Sequence, residues 1–124
     1  PAEVVLGASL AVSADDPATC AARIDEIVRW RREHQPGGAN AGSVFRNPDG
    51  DSAGRLIEAA GLKGVRVGGA VVSEKHANFI QAESGATAAD VAALVAQVRA
   101  RVAAATGVQL ESELHWLGFT GMEP

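Results

Sequence analysis

Residues 65–81 read VRVGGAVVSEKHANFIQ, and this stretch decides the fold class. Val65–Val67 and Ala70–Val72 are short β-branched runs separated only by Gly68-Gly69, and Asn78–Gln81 follows the polar stretch Ser73-Glu74-Lys75-His76. Such runs are too short for helices, and a glycine pair between two of them marks a tight hairpin turn. Strands that follow one another through tight turns pair antiparallel, because a parallel crossover needs a dozen residues or more.

Working upstream, Ser52 is placed to cap a short helix whose apolar residues Leu56, Ile57 and Ala60 share a side until Gly61 stops it. Before it lie the turn Asn47-Pro48-Asp49-Gly50-Asp51, a short strand Ser43–Arg46 and a loop over Pro36–Gly42 that is too rich in turn formers to be regular. Asp15-Asp16-Pro17 opens another helix, with a carboxylate cap and a proline in the first turn, and Cys20, Ile24, Ile27, Val28 and Arg31 recur along it at helical spacing. That helix is expected to end before Pro36, and Glu3–Val12, which alternates loosely, reads as a strand. Downstream, Thr87 with Asp90 forms a capping-box pattern, Val91, Leu94, Val95, Val98 and Val102 make a buried stripe, and Gly107 is the stop. Val108–Leu110 and Leu114–Leu117 are expected to close the chain as strands. The pattern predicts one α+β domain over residues 1–124, a two-layer fold with a mainly antiparallel sheet covered by helices.

The composition supports a single core. Of 124 residues, 47% are hydrophobic and 21% charged, and a compact fold of this length hides roughly two thirds of its unfolded surface without disulfides or a structural metal. The lone Cys20 agrees with that. A net charge of −4 and few aromatics argue against a nucleic-acid partner. No run approaches the roughly 18 apolar residues of a membrane span, and the first segment has no signal-peptide pattern, so a cytoplasmic location with no membrane partner is expected. The chain opens at Pro1 without an initiator Met, which reads as a fragment or a processed product.

Candidate chemistry is sparse. His34, His76 and His115 fall in separate elements without a second ligand at metal-binding spacing, so no metal site is expected. Ser43, His76 and an acid such as Glu113 suggest a hydrolase triad, but no glycine stands two residues after Ser43, and the nucleophile elbow is missing. In Ala41-Gly42-Ser43-Val44-Phe45-Arg46-Asn47-Pro48 a glycine next to a hydroxyl, with a guanidinium and an amide just beyond, is either an ordinary strand and turn or a donor set for an anion such as phosphate. Gly68-Gly69 with Ser73–His76 leaves the same two readings open. Glu111 and Glu113, two apart on a strand expected over Gln109–Leu114, point to one sheet face, where like charges need solvent or a purpose.

Five blocks bring these fragments together: AGSVFRNP (41–48), SAGRLIEAAGLKG (52–64), VGGAVVSEKHANFI (67–80), GATAADV (85–91) and GVQLESEL (107–114). In this order and at these spacings they resemble the C-terminal domain of the UDP-N-acetylenolpyruvoylglucosamine reductase (MurB) family of peptidoglycan synthesis. The resemblance implies an oxidoreductase in which NADPH reduces FAD and the hydride passes to UDP-N-acetylglucosamine enolpyruvate, giving UDP-N-acetylmuramate. It implies that Ser43 donates the proton that completes the reduction, and that Glu113, the second acid of the L-E-x-E pattern, is the catalytic glutamate. A glutamate in that role has to hold or share a proton, so it is expected either buried or set against the substrate carboxylate.

By the same resemblance Asn47 and Glu74 help to hold the diphosphate and its surroundings, with Arg31 and Arg46 as supporting cations. His34 stands before Gln35-Pro36 where the family commonly has a lysine. The chain has no tyrosine, which is similar to the shorter subclass without the tyrosine-bearing loop. The family's FAD-binding portions are N-terminal, so the resemblance implies a substrate-binding domain without cofactor-binding residues, inactive alone. The rival reading from a different class is a non-catalytic α+β module that binds a phosphorylated small molecule.

Overall fold

A computed structural model describes residues 4–119 and divides the chain into two compact units, residues 1–31 and 32–124. The first unit holds most of helix α1, Pro17–His34. Asp16 caps it: its carboxylate accepts the Thr19 N–H at 2.9 Å and the Thr19 hydroxyl at 3.0 Å. These bonds hold the Asp16 carboxyl below its ordinary value, the Thr19 backbone N–H contributing most. The helix ends before Pro36, as its sequence predicts, yet none of its residues is buried.

The strand expected over Glu3–Val12 does not form across the described residues 4–12, and Val4, Val5, Leu6, Leu10 and Val12 are exposed. Alternation makes a strand only when another strand accepts its backbone N–H and C=O groups, and no described strand pairs with this segment. Glu3 lies outside the described residues.

The second unit is the α+β fold. Strand β1 is Asn40–Ser43, helix α2 Ala53–Ala59, strands β2, β3 and β4 are Arg66–Val67, Ala70–Val72 and Phe79–Ala82, and helix α3 is Ala88–Thr106. The four strands form one sheet in the order β1-β4-β3-β2, antiparallel at every pairing. Helix α3 packs on β2 and β3 and against α2. One core runs between the layers, from Phe45, Ile57 and Leu62 through Val72 and Ile80 to Leu94, Val98 and Leu110.

The local signals act as their chemistry requires. Ser52 caps α2 through the Arg55 N–H, and Thr87 and Asp90 form the capping box of α3. Gly107 ends α3 at φ +76°, a left-handed conformation that L side chains rarely adopt. The Gly68-Gly69 turn is packed against the start of α3, because a Cβ on Gly69 would meet Ala86 backbone atoms at 2.6 and 2.7 Å. Asp90 accepts the Gly69 N–H at 3.3 Å as well as the Thr87 N–H at 2.9 Å, which fastens the hairpin to the helix. This turn has a structural role and no space for a ligand.

Three strand expectations need correction. The strand predicted at Ser43–Arg46 occupies Asn40–Ser43 instead, and residues 108–110 and 114–117 form no strand. An isolated antiparallel bridge, Phe45 with Ser112, takes their place. These apolar runs, like the segment 109–114 expected as a strand around Glu111 and Glu113, have strand-like composition, but a strand needs several successive backbone pairings, and here there is one isolated bridge.

Candidate active site

The site is built where β1 leaves the sheet. Between Asn40 and Ser43 the register with β4 slips, since Asn40 faces Gln81 whereas Ser43 faces Phe79, leaving one extra residue on β1. Gly42 takes φ +81° within this bulge, and its N–H is held at 3.0 Å by the Asn40 side-chain oxygen. A slip of one residue exchanges the two faces of a strand, so the bulge determines which way the Ser43 hydroxyl is presented.

Beyond Ser43 the chain is clamped from both sides. Asn78, buried at the start of β4, accepts the Phe45 N–H at 2.9 Å and donates its amide to the Phe45 carbonyl at 2.8 Å. Its backbone carbonyl also accepts the Val44 N–H at 2.9 Å. The Asn78 side chain thus does for Phe45 what a neighbouring strand would do. On the other side the Arg46 N–H reaches the Glu111 carbonyl at 2.9 Å and the Glu113 N–H reaches the Val44 carbonyl at 2.8 Å. Segments more than sixty residues apart in sequence are thereby joined, and Phe45 is locked into the core.

The consequence is a shared depression of about 400 Å³ lined by Ser43, Arg46, Asn47, His76, Asn78 and Glu113. Asn47 uses its side-chain oxygen to accept the Ala53 N–H at 3.0 Å, which leaves its NH₂ group as the donor for a ligand. Arg46 is within reach of both acids, 3.4 Å from Glu111 and 3.8 Å from Glu113. All three side chains are well exposed, so these ion pairs are worth little to folding and are available to be rearranged by a ligand.

Glu74 and His34, also singled out from the sequence, do not line this depression. Glu74 lines a second, polar depression of about 470 Å³ with Ser73, Lys75 and the Arg66–Glu83 ion pair. There the Glu74 carboxylate lies over Gly64, whose φ of +72° is one that L side chains rarely adopt, and the Lys75 ammonium donates to the Arg32 carbonyl at 2.7 Å. His34 is exposed at the end of α1 and is not among the residues lining either depression, and Arg31 belongs to the first unit.

Sequence reasoning missed Asn78 and undervalued His76. An Asn ahead of a strand has a general turn signal, and nothing in a sequence without coordinates says that its amide will pair with a backbone group 33 residues away.

The family described as "UDP-N-acetylenolpyruvoylglucosamine reductase, C-terminal domain" matches residues 33–117, a range that contains the whole bulge, clamp and depression. The chain belongs to that family. UDP-N-acetylenolpyruvoylglucosamine reductase of Geobacter sulfurreducens is 47% identical over 119 residues, which are 95% of this chain and 40% of that protein. The reductase of Heliobacterium modesticaldum is 56% identical over 100 residues, 79% of this chain and 32% of that protein. The solved structure of the Thermus caldophilus reductase aligns with a TM-score of 0.67 at 42% identity, covering 79% of this chain and 34% of that one. The chain therefore spans about 40% of the length of the curated relatives it matches. Its α+β fold is the one expected of a MurB C-terminal domain.

Proposed function

We propose that this chain is the substrate-binding, proton-delivering domain of a reductase that converts UDP-N-acetylglucosamine enolpyruvate to UDP-N-acetylmuramate in peptidoglycan synthesis. The observation that carries the reading is the convergence of Ser43 and Glu113 in one depression, through the pairing of residues 44–46 with residues 111–113. The family membership supports the substrate class, and the printed names of the relatives describe the same reductase.

In such a reductase FAD, recharged by NADPH, supplies the hydride. The described sheet is antiparallel throughout and its Gly68-Gly69 turn is filled by Ala86 and Asp90, so these residues do not form the strand, glycine loop and helix cradle of a dinucleotide. We assign both cofactors to the rest of the protein, and this chain alone to no turnover. No helix among the described residues is long and apolar enough to cross a membrane, and a cytoplasmic location belongs to the same proposal.

The chemistry left to this chain is charge and proton handling. Reduction at one alkene carbon puts negative charge on the other carbon and its carboxylate, and fixed donors have to meet that charge where it develops. Ser43, oriented by the bulge, gives its proton to that carbon; a hydroxyl is a weak acid, but adequate toward so basic a carbon when its geometry is preset. Glu113, which lines the same depression, stands against the substrate carboxylate and shares a proton with it there. Arg46 and the Asn47 NH₂ supply cation and donor for anionic oxygens, with Glu74, Arg31 and His34 as further binding residues.

The test compares the two acids within reach of Arg46. In the complete protein Glu113→Gln is expected to lower kcat by about 10²-fold or more with a much smaller change in KM. Glu111→Gln is expected to change both by less than about 2-fold, as for an exposed charge. Equal losses from the two substitutions at the same pH would refute the assignment.

A further inference from the structure

His76 has no role in the reading above, yet its ring is one of the most constrained groups in the depression. It follows Ser73, whose buried hydroxyl accepts the N–H groups of Lys75 at 3.1 Å and His76 at 3.4 Å and so fixes the turn. The ring meets Phe79 edge-on, with centroids 4.9 Å apart at 65°. On its other side lies Gly54, within helix α2, where an added Cβ would stand 3.2 Å from the ring Cε1. A glycine inside a helix costs about 1 kcal/mol relative to alanine, and the space it frees here is taken up by the imidazole.

The Nδ1 atom accepts the Asn78 backbone N–H at 3.2 Å. It therefore carries a lone pair, and the ring proton of the neutral imidazole resides on Nε2. Asn78 is the same residue that clamps Phe45, so the orientation of His76 and the position of Ser43 are set through a common support. A ring donor whose orientation is fixed by a backbone N–H on the other nitrogen is suited to an anionic oxygen.

We propose that His76 is a substrate-binding residue, presenting Nε2–H to the carboxylate of the enolpyruvyl group. The carboxylate is the anion favoured here because His76 shares its depression with Ser43 and Glu113, and the carboxylate is bonded to the carbon that Ser43 protonates. Glu74 and Lys75 line the other depression. This inference rests on the proposed function and adds to it one donor and the group it recognises.

The test measures binding to the complete protein of UDP-N-acetylenolpyruvoylglucosamine and of UDP-N-acetylglucosamine, which lacks the carboxylate. His76→Phe is expected to weaken the first by about 10- to 100-fold, the range for one hydrogen bond to a charged group, and to leave the second unchanged. His76→Gln, whose amide N–H reaches toward the Nε2 position, is expected to recover part of the loss. Equal weakening of both ligands, or of neither, would overturn the proposal while leaving the functional reading intact. Wild-type protein that fails to bind the enolpyruvyl compound would instead overturn the functional reading, and with it the role of His76. Long-range ¹⁵N–¹H spectra of the wild-type protein give an independent check: a proton on Nε2 is expected, and a proton on Nδ1 would overturn the proposal whatever the variants do.

Discussion

Helices α1 and α3 have nearly the same length, 18 and 19 residues, and both begin where a side-chain oxygen accepts the N–H three residues on. They differ in what they cover. Helix α3 buries Leu94, Val95, Val98 and Val102, whereas α1 buries nothing and leaves Ile24, Ile27 and Trp30 more than half exposed. Capping and spacing decide where a helix lies, because those forces act within a turn or two. Whether its apolar stripe stabilises a fold depends on the surface that meets it, and that is a property of the rest of the molecule.

The largest expected effect sharpens this contrast through stability. Leu94→Ala removes a fully buried side chain and is expected to cost about 2–5 kcal/mol in urea unfolding of the chain. Ile27→Ala, on the exposed stripe of α1, is expected to change the same measurement by no more than about 0.5 kcal/mol. A loss at Ile27 comparable to that at Leu94 would break the comparison, since it would show α1 buried within the folded chain.

A smaller effect separates the two N-termini by pH. The Asp90 carboxyl is held below its ordinary value of 3.8, first by the Thr87 backbone N–H and then by that of Gly69. A carboxyl whose folded value is lowered adds stability that is present above the unfolded value and is lost as pH falls through the folded one. Asp90→Asn is therefore expected to lower the unfolding midpoint at neutral pH, with the gap to wild type closing below about pH 4. Asp16 is lowered in the same direction, chiefly by the Thr19 backbone N–H, but it caps the helix that buries nothing. Asp16→Asn is expected to reduce the helical circular dichroism of α1 and to leave that midpoint unmoved at every pH.

What could be read from the sequence follows the range of the forces. Ser52, the Thr87–Asp90 pair, the glycine stops and the 65–81 strand series act locally, and each appears in the fold as its chemistry predicts. Residues 4–12 and 108–117 have strand-like composition, but a strand is a relation between two segments, and alternation does not reveal a missing partner. The site divides in the same way. Ser43 and Glu113 were named through the family resemblance, and the shared face expected of Glu111 and Glu113 rests on a strand that does not form. The Asn78 clamp and the bulge at Gly42, which bring residues 43 and 113 together, depend on pairings no local pattern encodes.

In the proposed function this junction delivers the Ser43 hydroxyl to the carbon that must be protonated. Single-turnover kinetics of Ser43→Ala in the complete protein test it most directly, with the flavin absorbance following hydride loss and quenched samples in D₂O following deuterium arrival beside the carboxylate. Hydride loss is expected near the wild-type rate and protonation is expected to slow by about 10²- to 10⁴-fold, the range for removal of a positioned general acid. Wild-type rates for both steps would contradict that role of Ser43.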